Sequence, residues 1–569
     1  MSYRHVPRLI FLLVATLLVV AACGGGDDAT PAATPAPTAR ATTGPTAAPT
    51  PAPTPTATPV PLPQGEMTIA FASLGGKVMI PDQGGGVESI LQPIYDPIIA
   101  STFDGKLDAT RGFATSWTAS PDSKVWTFKV KDNVAFHDGV KATSADLKYV
   151  LEYSMATGSK SSKIATFKDN IVGMETPDST TFVLTLKNTD IFWQVINWSL
   201  LGGARKPAFI IPKHYVSTVG LEGVNKQPVG SGPYKHKSIT ADKVIFEAQD
   251  KHWFFPVPRT KTVTFWEVPE ESTITALLRN KDIDLSGPVS VSQVKPLRDA
   301  GLRVMAQQDT RAFTYIFREA FVESYPGYGK NPLNDLRVRQ ALHYYAIDRK
   351  AIVDTFLQGL ASPTMDYPVL PQEVSWTGPL PVPAYDLAKA KAMFAEAGFP
   401  NGFEMDYIIF SNLAGLDQEV NEALAVMWEK AGIKITRVSR TEQNFRDQMV
   451  ANTGKSYFTK PTVVGSYTIA TGTVASTFST IPHTLTGPWI YNKDPKGIEL
   501  AAAWASSPNL DEYKKRAEAY RRWEYENVSS FEPVFLTGTI WAAGSKVPAA
   551  WNPGQDPASQ KMDYLVAMR

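Results

Sequence analysis

An α/β fold is predicted by three features of the 569-residue sequence. Strand-like alternation at Val125–Val130 places Trp126, Phe128 and Val130 on one face and Val125, Thr127 and Lys129 on the other. Helical spacing from Asp417 through Val420, Leu424 and Trp428 stops at Gly432, and an apolar strand starts at once with Ile433-Lys434-Ile435-Thr436. Helix, glycine stop, then strand is the pattern of layered α/β structure. Aromatic residues make 11% of the chain, enough for large cores, and roughly 500 foldable residues imply two or three structural domains.

The elements follow in order. Arg4, His5 and Arg8 precede the apolar run Leu9 to Val20, which is shorter than the ~20 residues a membrane-spanning helix needs. Val20-Ala21-Ala22-Cys23 closes it, so residues 1–22 read as a signal peptide and Cys23 as the acylated first residue of a lipoprotein. Cys23 is the only cysteine, which excludes a disulfide within the chain. Arg4 and Arg8 leave with the leader, so the formal charge falls from +1 to −1. No basic stripe points to nucleic acid, and no second apolar segment can span a membrane. Residues 23–64 are a lipid-anchored linker, almost wholly Pro, Thr and Ala from 29 onward, read as an extended tether.

Order is expected from Gly65, with Met67 to Phe71 as a strand. Pro121-Asp122-Ser123 turns into the Val125 strand, and Phe136-His137-Asp138-Gly139 makes a second turn. Thr143 and Asp146 form a capping box for a helix carrying Leu147, Val150 and Leu151. Asp335, Asp348 and Asp386 cap three later helices, the first running through Leu342 to Tyr345 and the third ending at Gly398. Trp117, Trp126 and Phe128 read as core, and His137 as a satisfied turn histidine. Arg337 and Arg339 are expected to pair with nearby carboxylates or carbonyls, and Gly230 and Gly232 to serve backbone geometry.

In sequence order, several motifs resemble the oligopeptide, dipeptide and nickel branch of ABC-importer solute-binding proteins, the bacterial extracellular family 5. They are Ser116-Trp117-Thr118-Ala119-Ser120-Pro121-Asp122-Ser123, Phe136-His137-Asp138-Gly139 and Pro228-Val229-Gly230-Ser231-Gly232-Pro233-Tyr234. Asn280-Lys281-Asp282-Ile283-Asp284 departs by an Asn where the family has Gly. Asp335-Leu336-Arg337-Val338-Arg339-Gln340-Ala341-Leu342 followed by Ala346-Ile347-Asp348-Arg349 is the most specific block. Ala395-Glu396-Ala397-Gly398-Phe399-Pro400-Asn401-Gly402 and Ala431-Gly432-Ile433 complete the series.

The resemblance implies a periplasmic-binding-protein-like type II fold: two lobes with a hinge plus an extra domain, the three-domain cluster C type. The expected partition is lobe I from 65–93, 206–300 and 526–569, an accessory domain from 94–205, and lobe II from 301–525. It further implies a monomer held outside the cytoplasm at the cell membrane. Such a chain captures a small organic solute and delivers it to permease subunits served by separate ATPases. No nucleotide-binding loop is present in this chain, so any ATP is hydrolysed by other subunits; no cofactor is expected.

The family's contact region corresponds to Ser456–Tyr491. Here Tyr467 and Trp489 are stacking candidates, with Trp376 a third; buried core is the competing role for each. In the peptide-binding branch an aspartate from this region pairs with the ligand's amino terminus, but no Asp or Glu lies between Asp447 and Asp494. A buried ammonium without a counter-charge is costly, so a neutral or anionic ligand is expected. Six histidines remain after the leader, none close-spaced, so no metal site is expected. A receptor-linked sensor needs the same closing lobes and stays open as an alternative. An exported hydrolase has no Gly-x-Ser-x-Gly, Ser-x-x-Lys or His-Glu-x-x-His to support it.

Overall fold

Three β-sheets organise the chain in a computed structural model. It describes residues 63–553 other than 83–89, 103–105, 162, 197, 200–207, 255–257, 259, 308, 319, 368, 372, 412–415, 452–457, 471–493 and 530. Residues 60–569 form one compact unit. Cys23, the expected signal peptide and most of the expected tether lie outside the described residues.

A seven-stranded sheet orders its strands Arg303–Ala306, Ile540–Ala543, Leu285–Ser286, Gln64–Phe71, Thr260–Glu267, Lys243–Ala248 and Tyr234–Ile239. Gln64–Phe71 sits at its centre, parallel to both neighbours, and buries Met67, Ile69 and Phe71 on one face. A four-stranded antiparallel sheet, Ala114–Ala119, Val125–Val130, Thr181–Leu186 and Ile171–Asp178, shares that core through Trp126, Phe128 and Val130. These are the three residues whose alternation predicted an inward face. A six-stranded sheet orders Ser362–Pro363, Phe531–Thr537, Arg311–Arg318, Thr462–Ala470, Glu404–Phe410 and Lys434–Arg440 around a second core.

The caps fall where the sequence places them. Thr143 N–H donates to the Asp146 carboxylate at 2.9 Å. Asp335, Asp348 and Asp386 accept from the N–H groups of Arg337, Ala351 and Lys389 at 3.0, 2.9 and 2.9 Å. One helix differs from expectation. After Leu336–Gln340 the backbone widens over Ala341–Tyr345, and Ala346 N–H bonds back five residues to the Ala341 carbonyl. The buried polar group of this turn is the reason: Tyr315 Oη meets His343 Nδ1 at 2.8 Å, and Arg349 Nη1 donates to the His343 carbonyl at 2.8 Å. Wide turns of this kind occur mostly as single-turn bulges within α-helices.

Arg337 grips Asp335 and the Glu396 carbonyl, and buried Arg339 donates to carbonyls of Leu333, Asn334, Asn527 and Val528, as expected of them. A Cβ on Gly230 or Gly232 would fall 2.1 or 2.6 Å from backbone atoms of Ile94 or Pro93, so close chain approach explains both glycines.

The seven- and six-stranded sheets are joined by two short crossings that lie side by side. One runs from Ala306 to Arg311, the other from Thr537 to Ile540. Gln307 N–H donates to the Thr539 carbonyl at 2.9 Å, and Thr539 Oγ1 donates to Gln307 Oε1 at 2.6 Å. Phe531–Thr537 pairs antiparallel with Arg311–Arg318 in the six-stranded sheet, and Arg303–Ala306 pairs antiparallel with Ile540–Ala543 in the seven-stranded one. Nothing in the local sequence says which sheet each strand joins, because a short apolar strand suits either.

Candidate functional site

The crossings border a cavity of about 560 Å³ with walls from both sheets. From the seven-stranded part come residues 288–292, which follow Leu285–Ser286, and from the crossing itself Thr537, Gly538, Thr539 and Ile540. From the six-stranded part come Arg311, the segment Thr355, Phe356 and Gln358, and the first turn of helix Leu416–Lys430. Gln358 Nε2 donates to the Val291 carbonyl at 3.1 Å, a direct bond between the two walls.

Arg311 is the first residue of its strand, flanked in register by Ala470 and Thr537. Pairing on both sides fixes its backbone at the cavity rim. Its Nε is buried and has no hydrogen-bond partner among the described residues. Burial pulls the guanidinium below its ordinary range, and the nearby Asp417 carboxylate acts in the opposite direction. Asp417 and Glu419 stand in the first helical turn, where the helix dipole favours negative charge. Ser290 is already engaged: its hydroxyl donates to Glu271 Oε2 at 2.5 Å and its N–H to Oε1 at 3.1 Å. Val289, Val291, Phe356, Leu416 and Ile540 supply apolar surface. One guanidinium facing two carboxylates on an apolar floor can orient a small guest that carries both an acceptor and a cationic group.

The residues singled out from sequence are distributed differently. Tyr467 falls in strand Thr462–Ala470, but its side chain lies outside the described residues, and so does Trp489. Trp376 packs into an aromatic cluster with Phe192, Trp504, Tyr513 and Tyr520, and it is not among the residues lining the cavity. His137 has both ring nitrogens engaged, Nε2 with the Gly232 carbonyl at 3.0 Å and Nδ1 with the Gly230 N–H at 3.2 Å. Burial pulls it down to about 4, so it is neutral at pH 7. Sequence reasoning passed over Arg311 and read Asp417 only as a helix start. An arginine opening an otherwise aromatic strand, Arg311-Ala312-Phe313-Thr314-Tyr315, was the available signal.

Two α/β parts, joined by a pair of crossings and facing each other across a partly polar cavity, define a hinged binding protein. The comparisons agree. The description "Bacterial extracellular solute-binding proteins, family 5 Middle" matches residues 109–476. The chain belongs to this family of solute-binding proteins. It is 25% identical over 403 residues to heme-binding protein A of Haemophilus influenzae, covering 66% of this chain and 70% of that one. It is 28% identical over 302 residues to the glutathione-binding protein GsiB of Pectobacterium atrosepticum, covering 53% and 55%. The match thus spans about half the length of GsiB. The ABC transporter substrate-binding protein CtaP of Listeria monocytogenes has a similar fold, with TM-score 0.71 at 21% identity over 88% of this chain and 98% of that one. Among the described residues no helix is long and apolar enough to cross a membrane.

Proposed function

We propose that this chain captures a small zwitterionic organic solute outside the cytoplasm and delivers it to the permease of an ABC importer. The observation that carries the ligand class is the buried, unpartnered Arg311 Nε in a cavity shared with Asp417 and Glu419. A buried donor left unmet costs about 1–3 kcal/mol, which an acceptor on the guest recovers. Asp417 already acts on Arg311, so we assign Glu419, on the same helix Leu416–Lys430, to a cationic group on the guest, in place of the counter-charge that the stretch between Asp447 and Asp494 lacks.

In this reading the seven-stranded part is lobe I, the four-stranded sheet is the accessory domain fused to it, and the six-stranded part is lobe II. We assign the crossover out of lobe I after Arg303–Ala306 and the return to it at Gly538, because those strands pair in the seven-stranded sheet and Phe531–Thr537 in the six-stranded one. Tyr467 and Trp489 remain stacking candidates on the lobe II side. Residues 1–22 direct export, Cys23 carries the lipid, and the Pro/Thr/Ala segment spaces the lobes from the membrane. The protein acts as a monomer and performs no chemistry on its cargo; the ATP is spent by partner subunits.

The test is X-ray scattering of the mature protein with and without solutes recovered from its native form. Compaction on adding a recovered solute supports closure, and curves that superimpose for every recovered compound refute it. Membrane retention of a Cys23→Ala form would remove the lipid anchor from the reading.

A further inference from the structure

Phe192 makes a contact that the solute cavity does not explain. It follows the four-stranded sheet in sequence, yet it is buried among residues of the six-stranded part: Val369, Trp504, Tyr513 and Tyr520. Its ring meets Tyr513 edge-on with centroids 4.6 Å apart.

Both sides of the contact are held rigidly. On the Phe192 side, Asp190 accepts from the Phe192 N–H at 2.9 Å, and its own carbonyl accepts from Trp126 Nε1 at 3.1 Å. The turn is therefore fixed to the core of its own sheet. On the receiving side, the loop bearing Val369 and Trp376 is fastened to helix Leu510–Asn527 by two buried carboxylates. Asp366 pairs with Arg521 at 2.5 Å, and Glu373 accepts from Tyr513 Oη at 3.2 Å and the Ser375 N–H at 2.7 Å. Arg521 also reaches Thr377 Oγ1 and the Gly378 carbonyl, both at 2.9 Å. Burying carboxylates to shape a loop is expensive unless they are paired or hydrogen-bonded; Asp366 has the Arg521 guanidinium, and Glu373 has the Ser375 and Tyr513 donors. The outcome is an aromatic box with the Phe192 ring seated in it.

We propose that Phe192 is a positioning residue that clasps the accessory sheet to lobe II and holds the lobes at the spacing that forms the cavity. The inference rests on the reading that the two lobes move relative to each other about the paired crossings. The crossings alone leave that motion open, since they constrain one edge. Beyond the crossings and the Gln358–Val291 bond at the cavity, a ring seated in a box far away in sequence adds a further restraint, and closing energy must be spent or recovered through it.

The experiment measures the distance between spin labels on cysteines introduced at Lys168 and Lys430, both exposed, in a Cys23→Ser background. Lys168 reports the accessory domain and Lys430 reports lobe II. The parent is expected to give one narrow distance. Phe192→Ala is expected to broaden the distribution or add a second distance, with far-ultraviolet circular dichroism unchanged. Phe192→Leu, which keeps apolar volume but loses the ring, serves if the alanine form does not fold, and a smaller broadening is expected. A folded Phe192 variant with the parent's distance distribution overturns the proposal. The readout needs no solute, so a clasp that survives this test stands even if no compound is found to close the lobes.

Discussion

Substituting Gly538 by alanine should damage the hinge in a measurable way. A Cβ there would lie 2.3 Å from the Gln307 carbonyl oxygen, 2.6 Å from Gln307 Cβ and 2.8 Å from its carbonyl carbon. Ordinary contacts begin near 3.4 Å, so one crossing must retreat by about 1 Å from the other. The retreat strains the two bonds that tie the crossings together, the 2.9 Å Gln307–Thr539 backbone bond and the 2.6 Å side-chain bond. Gly538 is not in the left-handed region, so the cost is steric alone. Overpacking of this kind costs about 1–3 kcal/mol. Urea denaturation in a Cys23→Ser background reads the loss as a lower midpoint at unchanged slope. Gly398→Ala is the control: its φ of +92° strains any side chain, but nothing lies within 4 Å, so it should cost about 1 kcal/mol and leave the lobe spacing alone. A Gly538→Ala protein within 0.5 kcal/mol of the parent, roughly the range of neutral surface changes, would refute the account of the crossings.

Acid should destabilise the fold through His137, which lies near Asp96, His252 and Lys235. The folded protein keeps this histidine neutral down to about pH 4, while the unfolded chain takes up its proton near 6.5. The contribution is therefore complete above pH 6.5 and is lost as pH falls toward 4, amounting to roughly 3 kcal/mol. Replacing His137 by Asn should flatten the stability–pH slope in that window, and an unchanged slope would contradict the assignment. Asp366→Asn should cost about 3 kcal/mol in chemical denaturation, because it leaves the buried Arg521 with only Glu518 as counter-charge. A cost below about 1 kcal/mol would show that the box loop does not depend on this pair.

Much of the scaffold was legible because it obeys local rules. The capping aspartates, the glycine stop at 432 and the alternation of Trp126 and Phe128 each need only near neighbours in sequence to be read. The site was less legible because its parts come from afar. Arg311 meets Asp417 only once Arg311–Arg318 has paired with Thr462–Ala470, the distant strand on which helix Leu416–Lys430 packs, and no local pattern encodes that pairing. The wide turn at Ala341–Tyr345 escaped for the same reason, since it answers to Tyr315 and Arg349 rather than to its own helix. Trp376 carried two expected roles, ligand platform or buried core, and sequence alone could not choose because its neighbours, Phe192 and the helices of the box, come from distant segments.

The most direct test of solute capture at the crossings is native mass spectrometry of the protein purified without denaturation, as parent and as Arg311→Gln. The parent should carry a small-molecule adduct. The variant, lacking a charged hydrogen bond worth about 1.5–3 kcal/mol, should retain it about 10- to 100-fold more weakly. Equal retention of the same adduct by a folded Arg311→Gln protein would place the guest elsewhere and contradict the account.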